Sequence, residues 1–444
     1  MQPVSKHPKK VLIITYYWPP GGGAGVQRWL KFVKYLREFG WEPVVYTPEN
    51  GEMPVIDHSL QKDVPVGLTV IKQPIWEPYN SYKRFIGQGK DEKINTGFLT
   101  ENKKPKRMEK IAVWIRGNFF IPDARKFWIK PSIGFLSEYL VKNPVDVIVS
   151  TGPPHSMHLI ALGLKEKWGL PWLADFRDPW TNIDFYPELM LTSGSDRKHH
   201  RQEKEVLEKA DSVVSIGRNM SQEFAAIHGK DNAKFHVITN GYDTDDLQGS
   251  ANLVMDAKFS LAHIGTLVKS RNPEALWKTL AALTQENPAF AADLEIKLVG
   301  KVDVNVMQSI DSAGLKPYLN KIDYLPHTDV IKAQQQSQAL LLLVNNTKNA
   351  GGILTGKFYE YLSARRPILC IGPEIGEIAD AFAETRCGKL SGFTDEDTLR
   401  KNILDYYQHY KAGTLRSVSQ NVEHYSRRSL TAELSKLLDE LIRR

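Results

Sequence analysis

The chain has 444 residues and a formal net charge of +7, a length that predicts two or three domains, each large enough to bury its own core. Its apolar share is 42% and its mean hydropathy -0.35, which is globular composition, and no apolar run approaches the ~20 residues that span a bilayer. Two cysteines, Cys370 and Cys387, are too few for a disulfide framework or a cysteine metal cluster, so a reducing, cytoplasmic setting is expected.

Lysines ahead of the apolar run 11–14 imitate a signal peptide, but the run is short and leads into Pro19-Pro20-Gly21 without a small-residue cleavage site. It reads as a first strand. A glycine loop at 21–25, an amphipathic helix at 26–39 closed by Gly40 and a strand at 43–47 then make a βαβ unit. A strand at 68–71 follows. Residues 76–130 form a basic, aromatic insert: from Lys83 to Lys130 there are thirteen Lys/Arg against five Asp/Glu, an excess that accounts for the imbalance of the whole chain. Trp114, Phe119, Phe120, Phe127 and Trp128 interleave there with Arg116, Arg125, Lys126 and Lys130. The pattern suits an anionic membrane surface, and equally an exposed insert whose aromatics pack inward. No nucleic-acid module accompanies it, so nucleic acid is not an expected partner. Strands at 144–150, 171–176, 212–215 and 235–238 alternate with helices at 155–168, 198–210 and 219–228, completing a first doubly wound domain over 1–245.

Residues 239–257 are polar and aperiodic and read as a linker. A second alternation fills a domain at 256–415: strands at 259–264, 294–299, 321–325 and 339–344, helices at 272–283, 304–313 and 330–336, a glycine-rich loop, a helix with Glu360 near its start, a strand at 367–372 and a helix at 398–410. A closing helix over 416–444 carries Leu430, Leu434, Leu437, Leu438 and Leu441 at helical spacing. The fold class expected is α/β: two tandem Rossmann-like, doubly wound parallel-sheet domains facing a cleft, with a C-terminal helix.

Between Asp329 and Glu360 the sequence has no acidic residue; Glu360 then appears inside Thr355-Gly356-Lys357-Phe358-Tyr359-Glu360. A lone carboxylate suits a neutral diol, helix N-terminal amides suit a phosphate, and Lys357 adds a point charge. Ribose plus diphosphate is the economical ligand. The plain alternative makes Glu360 solvated helix surface with Lys357 as its i, i+3 partner. Two competing motifs fail. Arg28 follows Gly23-x-Gly25 where a dinucleotide fingerprint needs glycine, and Gly21-x-Gly23 is followed by Val26. Gly351 to Lys357 fits GxxxxGK, yet Phe358 stands where a P-loop needs Ser or Thr. Asp175 and Asp178 imitate a metal-binding DxD, but two residues separate them, so no metal is expected.

These segments together resemble the GT-B glycosyltransferases of family 4, the retaining, nucleotide-sugar-dependent class. The resemblance implies roles for particular residues. Gly22 and Gly23 of "VLIITYYWPPGGGAGVQR" approach the donor phosphates or the acceptor, and Lys269 and Arg271 of "LAHIGTLVKSRNPE" supply basic groups to the diphosphate, with Thr266 where the family usually has arginine. The Thr355 and Gly356 amides and Lys357 complete the phosphate site, and Glu360 binds the ribose. The first member of the family's acidic pair falls at Gly352. Its sugar contact then passes to Asn345, Asn346 or Asn349, or to backbone from Gly351 to Leu354. His155 is the catalytic-region histidine, with His158 as the alternative. Arg177 and Asp178 are acceptor-side groups or a mutual surface pair, and Pro122-Asp123-Ala124-Arg125 is an acceptor-side turn or a type I turn. The implied activity is metal-independent hexosyl transfer, without a cofactor, from a nucleoside-diphosphate sugar to a glycan or lipid-linked acceptor. It belongs to polysaccharide biosynthesis at the inner face of the membrane. A non-catalytic nucleotide or glycan binder and a sugar-nucleotide epimerase are the alternatives.

Overall fold

The computed structural model describes residues 8–77, 107–229, 233–247, 253–323 and 325–443. The chain divides into two compact units, Met1–Thr239 with Leu430–Arg444, and Asn240–Ser429. The first is built on seven parallel strands: β1 (Lys9–Ile14), β2 (Trp41–Pro48), β3 (Thr69–Gln73), β4 (Val147–Gly152), β5 (Trp172–Phe176), β6 (Ser212–Ser215) and β7 (Phe235–Val237), in the order β3-β2-β1-β4-β5-β6-β7. Its helices are α1 (Ala24–Leu36), α2 (Arg107–Phe119), α3 (Lys126–Lys142), α4 (Ser156–Trp168), α5 (Ser193–Lys209) and α6 (Arg218–His228). Because strand side chains alternate, each strand feeds a core on both faces. Leu12 and Ile14 pack with Trp128, Trp172 and Phe176, whereas Val11 and Ile13 pack with Trp29, Val33 and Trp41. The C-terminal helix (Arg427–Leu441) lays Leu430, Leu434, Leu438 and Leu441 onto this second core.

The second unit repeats the scheme with six parallel strands: β8 (Phe259–Ile264), β9 (Leu294–Val299), β10 (Leu319–Ile322), β11 (Ala339–Leu343), β12 (Ile368–Ile371) and β13 (Gly388–Ser391), in the order β10-β9-β8-β11-β12-β13. Around them lie α7 (Glu274–Glu286), α8 (Pro288–Asp293), α9 (Val304–Ser312), α10 (His327–Gln336), α11 (Gly356–Ser363), α12 (Glu377–Thr385) and α13 (Glu396–Lys411). Both strand orders reverse direction once, between β1 and β4 and between β8 and β11. At such a switch point the loops leaving neighbouring strands part and open a crevice at their carboxyl ends. The candidate residues fall on those loops.

The doubly wound architecture expected from the periodicity is present in both units. Four local readings need correction. Helix α3 was not expected, because Pro131 lies inside it and its start carries the basic residues of the insert; Trp128 holds it to the sheet, 1% exposed and stacked on Tyr46 at 4.8 Å. The expected linker starts as packed chain: Tyr242 and Asp243 are buried, and the Tyr242 amide donates to the Tyr425 carbonyl at 3.0 Å. Helix α12, whose buried Ile378, Ala381 and Phe382 keep helical spacing, and strand β13, three half-buried residues followed by buried Ser391, were not expected. The closing helix starts at Arg427, after a 3-10 turn at Val422–Tyr425. Of the basic insert, residues 78–106 lie outside the described residues. In the rest the aromatics divide: Trp128 is core, whereas Trp76, Trp114, Phe119 and Phe127 are exposed.

Candidate functional site

In the first unit the loops after β1 and β4 and the chain leaving β5 converge on a cavity of about 390 Å³, lined by Gly25, His155, Arg177, Asp178 and Trp180 among others, a size ordinary for small-molecule sites. In the core of the same unit lies one buried ion pair. Asp175, in β5, accepts from Arg28 Nη2 at 2.8 Å, Trp29 Nε1 at 2.7 Å and Thr151 Oγ1 at 2.8 Å. Arg28 also donates to the carbonyls of Thr239 and Ile238, both at 2.8 Å. Burial pushes the Asp175 carboxyl up, but Arg28 and the bonds from Trp29 and Thr151 outweigh it and hold it below the usual carboxylate range. Asp175 is thereby spent on structure. Sequence reading gave Arg28 no role; an acid inside the apolar strand Trp-Leu-Ala-Asp-Phe was the signal, since a buried carboxylate requires a cation.

His155 stands at the N-cap of α4, 8% exposed, stacked on Trp180 at 4.5 Å and 4°. Trp180 Nε1 in turn donates to His199 Nδ1 at 3.1 Å. Burial first, then His158, Arg177 and His199, hold the His155 imidazole well below its ordinary value. It is neutral at neutral pH and able to hydrogen-bond a sugar hydroxyl. His158 is core: fully buried, it bonds Ser150 Oγ at 2.8 Å through Nδ1 and stacks on Phe176 at 4.3 Å. Asp178 lies beyond the end of β5, so strand alternation does not govern its direction. It opens to the cavity, where the surrounding protein raises its carboxyl and Arg177 lowers it. No ion pair joins Arg177 to Asp178 among the described residues; Arg177 donates instead to the Pro153 carbonyl and lies over the Tyr17 ring. In the Pro122–Arg125 turn, Asp123 caps α4 by accepting from Ser156 N at 2.9 Å and Oγ at 2.8 Å, and Arg125 pairs with Glu77 at 2.9 Å. Of the two loop glycines, Gly22 has its amide committed to the Val55 carbonyl at 2.9 Å, and Gly23 takes φ 91° at the N-cap of α1.

In the second unit, α11 is fastened to the end of β8. Tyr361 Oη accepts from the Ile264 amide at 2.9 Å, and Lys357 Nζ donates to the Ile264 carbonyl at 2.8 Å. Lys357 therefore does not serve as the i, i+3 partner of Glu360. A Cβ on Gly265, whose φ is +131°, would fall 2.1 Å from that ammonium, so only glycine admits the lysine here. Burial lowers the Lys357 ammonium from its ordinary value; Glu360 opposes this and Arg271 adds to it. Arg271 donates through Nε to Asn345 Oδ1. The amino end of α11 has no acidic residue in its first turn, and its N-cap Thr355 makes no capping bond. The Thr355 Oγ1 atom is buried without a partner. Arg271, Lys357, Thr355 and the first amides of α11 thus surround an electropositive spot, with Glu360 exposed one helical turn farther on, its carboxylate hydrogen-bonded among the described residues by Gln334 Nε2 at 3.4 Å. Lys269 does not join them. It lines a separate groove with Asn305 and Ser309. Leu354 is half-buried against the core, and Gly352 is exposed in a 3-10 turn at Ala350–Gly352.

Under the cluster lies His263, which sequence reading missed because it sits in an apolar strand. Burial, Lys357 and Arg271 push it down to about 4, while His158 is pushed down to about 3 by burial. Both are neutral when folded, whereas in the unfolded chain they take a proton below about 6.5. Stability is therefore complete above about pH 6.5 and falls as pH drops toward about 4 for His263 and about 3 for His158. The expected slope is about 1.4 kcal/mol per pH unit for each histidine. Urea midpoints at pH 7.5, 6.0 and 5.0 check this; midpoints that do not fall with acidification contradict it.

The family model for Glycosyltransferase Family 4 matches residues 90–246. That match covers less than half of the chain, whose two parallel-sheet units have the GT-B fold. A glycosyltransferase from Rickettsia africae ESF-5 is similar over 99% of this chain and 99% of its own, with a TM-score of 0.63 at 12% identity. WaaG, a glycosyltransferase involved in lipopolysaccharide biosynthesis, is similar over 96% and 99%, with a TM-score of 0.53 at 14% identity. A putative UDP-N-acetylglucosamine 2-epimerase from Listeria monocytogenes is similar over 96% and 94%, with a TM-score of 0.51 at 12% identity. At these identities the likeness establishes the fold, and the epimerase among them shows that this fold does not by itself separate transfer from epimerisation. No curated protein sequence matches the chain. Among the described residues, no helix is long and apolar enough to cross a membrane.

Proposed function

We propose that this protein is a retaining glycosyltransferase that moves a sugar from a nucleoside-diphosphate donor to a hydroxyl of a glycan or lipid-linked acceptor. The observation that carries the reading is the electropositive spot of the second unit, with Lys357, Arg271 and the uncapped start of α11 beside a single exposed carboxylate, Glu360. The diphosphate rests on the former and the ribose hydroxyls on the latter. As the glycosidic bond to the diphosphate lengthens, charge grows on the leaving oxygen, and the fixed ammonium, guanidinium and amides stabilise it without reorganising. In the first unit, neutral His155 hydrogen-bonds the sugar and Asp178 orients the acceptor hydroxyl. That hydroxyl attacks from the face the leaving group departs, and its proton passes to the diphosphate oxygen. The chemistry needs positioning more than a protein nucleophile. Nucleotide release measured with candidate donors, with and without acceptor glycans, tests this. Release that depends on acceptor is expected; an epimerised sugar from donor alone, or no turnover with any pair, replaces the reading by one of its alternatives.

The acceptor side includes a surface where Trp76, Trp114, Phe119 and Phe127 are exposed together with the cationic side chain of Lys126, which lies over the Phe120 and Phe127 rings. We assign this surface to contact with anionic lipid. Flotation with vesicles containing anionic lipid is expected to carry the protein upward, and Trp114→Ser/Phe127→Ser to leave it at the bottom of the gradient. Equal flotation of both proteins rejects the assignment.

A further inference from the structure

The cavity of the first unit holds a guanidinium, Arg177, that makes no direct ion pair among the described residues; Asp178 and Asp175 act on it only from beyond ion-pair distance. Arg116, Arg125 and Arg177 line the cavity, and Arg28 lies buried in the core of the same unit. Arg28 has Asp175 at 2.8 Å and Arg125 has Glu77 at 2.9 Å. For Arg177 no carboxylate of the described residues lies within ion-pair distance; it has the Pro153 carbonyl, the Tyr17 ring at 5.7 Å and a buried Nε without a partner. A desolvated cation left in this state is costly unless something completes it.

Its surroundings make the deficit larger. A Cβ on Gly25 would fall 2.5 Å from Arg177 Nη1, so the guanidinium is seated against the first turn of α1. That helix has no acidic residue in its first turn and no side-chain cap. A cation at the positive end of a helix dipole is unfavourable by itself and favourable only if an anion bridges the two. On the same cavity, His155 Nδ1 is buried and has no partner. Asp123, which also lines the cavity, is already committed to capping α4, and Asp175 to Arg28.

We propose that this cavity binds an anionic group of the acceptor, a phosphate or a carboxylate, between Arg177, the start of α1 and His155. The inference rests on the transferase reading above and narrows its acceptor to a phosphorylated or acidic sugar. The walls fit such a molecule: Tyr17, Phe120, Trp180 and Tyr186 offer aromatic faces for the sugar ring, and Asp178 offers an acceptor for its hydroxyls. The residues assigned above to the donor diphosphate, Arg271, Lys357 and the start of α11, all belong to the second unit.

Inorganic phosphate is the probe, and the carbon-bound proton signals of the His155 ring, assigned with His155→Gln, are the readout on the full chain. An Arg271→Gln/Lys357→Gln background removes the phosphate site of the second unit. Millimolar phosphate is expected to shift the His155 signals in that background, with a midpoint at least ten-fold weaker after Arg177→Gln and partly restored by Arg177→Lys. His155 signals that ignore phosphate, or that respond alike with and without Arg177, overturn the proposal. A second arm separates the two sources of phosphate. If UDP, GDP or ADP displaces phosphate from the His155 site in the unaltered protein, the anion belongs to the donor and the acceptor assignment falls. Calorimetric titration of the same nucleotides tests the donor reading independently, so the failure of one is distinguishable from the failure of the other.

Discussion

Asp175→Ala is expected to lower the stability of the first unit by about 3–5 kcal/mol, because it leaves a buried guanidinium without its counter-charge. Arg28 is fully buried, and Asp175 is 1% exposed and accepts from three side chains at once, so neither water nor another carboxylate can take its place. Two controls separate charge from packing. Asp175→Asn, which keeps the shape and one acceptor, is expected to cost less. The double variant Arg28→Met/Asp175→Leu is expected to recover much of the loss, since removing both charges is far cheaper than orphaning one. Urea unfolding followed by tryptophan fluorescence provides the measurement. An unchanged midpoint with an unchanged slope for Asp175→Ala would show that the pair contributes nothing.

Arg271→Ala and Glu360→Ala are each expected to weaken nucleoside-diphosphate binding by about ten- to a hundred-fold, the range of one hydrogen bond involving a charged group. Both changes leave the fold intact for a structural reason: Glu360 is exposed, its carboxylate hydrogen-bonded among the described residues by Gln334, and Arg271 sits in a loop outside the sheet. The two losses should differ in kind. Arg271 acts on the diphosphate, so its loss should be felt equally with nucleotides that lack the sugar. Glu360 acts on the ribose, so its effect should shrink with 2′- or 3′-deoxy nucleotides. Titration calorimetry against UDP, GDP and ADP decides, and unaltered affinity in both variants rejects the donor site. Lys357 is the less suitable target, because it also ties α11 to β8 through the Ile264 carbonyl.

Much of the architecture was legible because hydrophobic period depends only on local spacing. The runs that became β11, β12 and the last four residues of β1 are buried on both faces and therefore read as unbroken apolar stretches, and β8 is broken only by Ser260 and His263. Helices were legible where a glycine closed them, as Gly40 does after α1 with φ 78°. Helix α3 was hidden by Pro131 and by basic residues that belong to its exposed side. Strand β13 was hidden because a short edge strand with half-buried residues has no alternation to detect. The candidate site divided in the same way. Glycine loops and lone charges at strand ends could be named from their positions. Lys269 could not be told from Arg271, since two residues on one loop enter different grooves only once the loop is folded.

From its order of residues alone this chain specified two doubly wound parallel sheets, and it placed glycines and cations at the strand ends where such sheets open. What the residues at those ends are free to do was settled by the tertiary structure. Arg28 and Asp175 are 147 positions apart and cancel each other in the core; Arg177, two positions beyond Asp175, has no carboxylate of the described residues within ion-pair distance; and His155 lines a cavity while His158, one turn later, is core. The reason is physical. Periodicity is carried by neighbours along the chain, whereas neutralisation and burial of a charge depend on which distant groups the strand order brings within hydrogen-bonding reach.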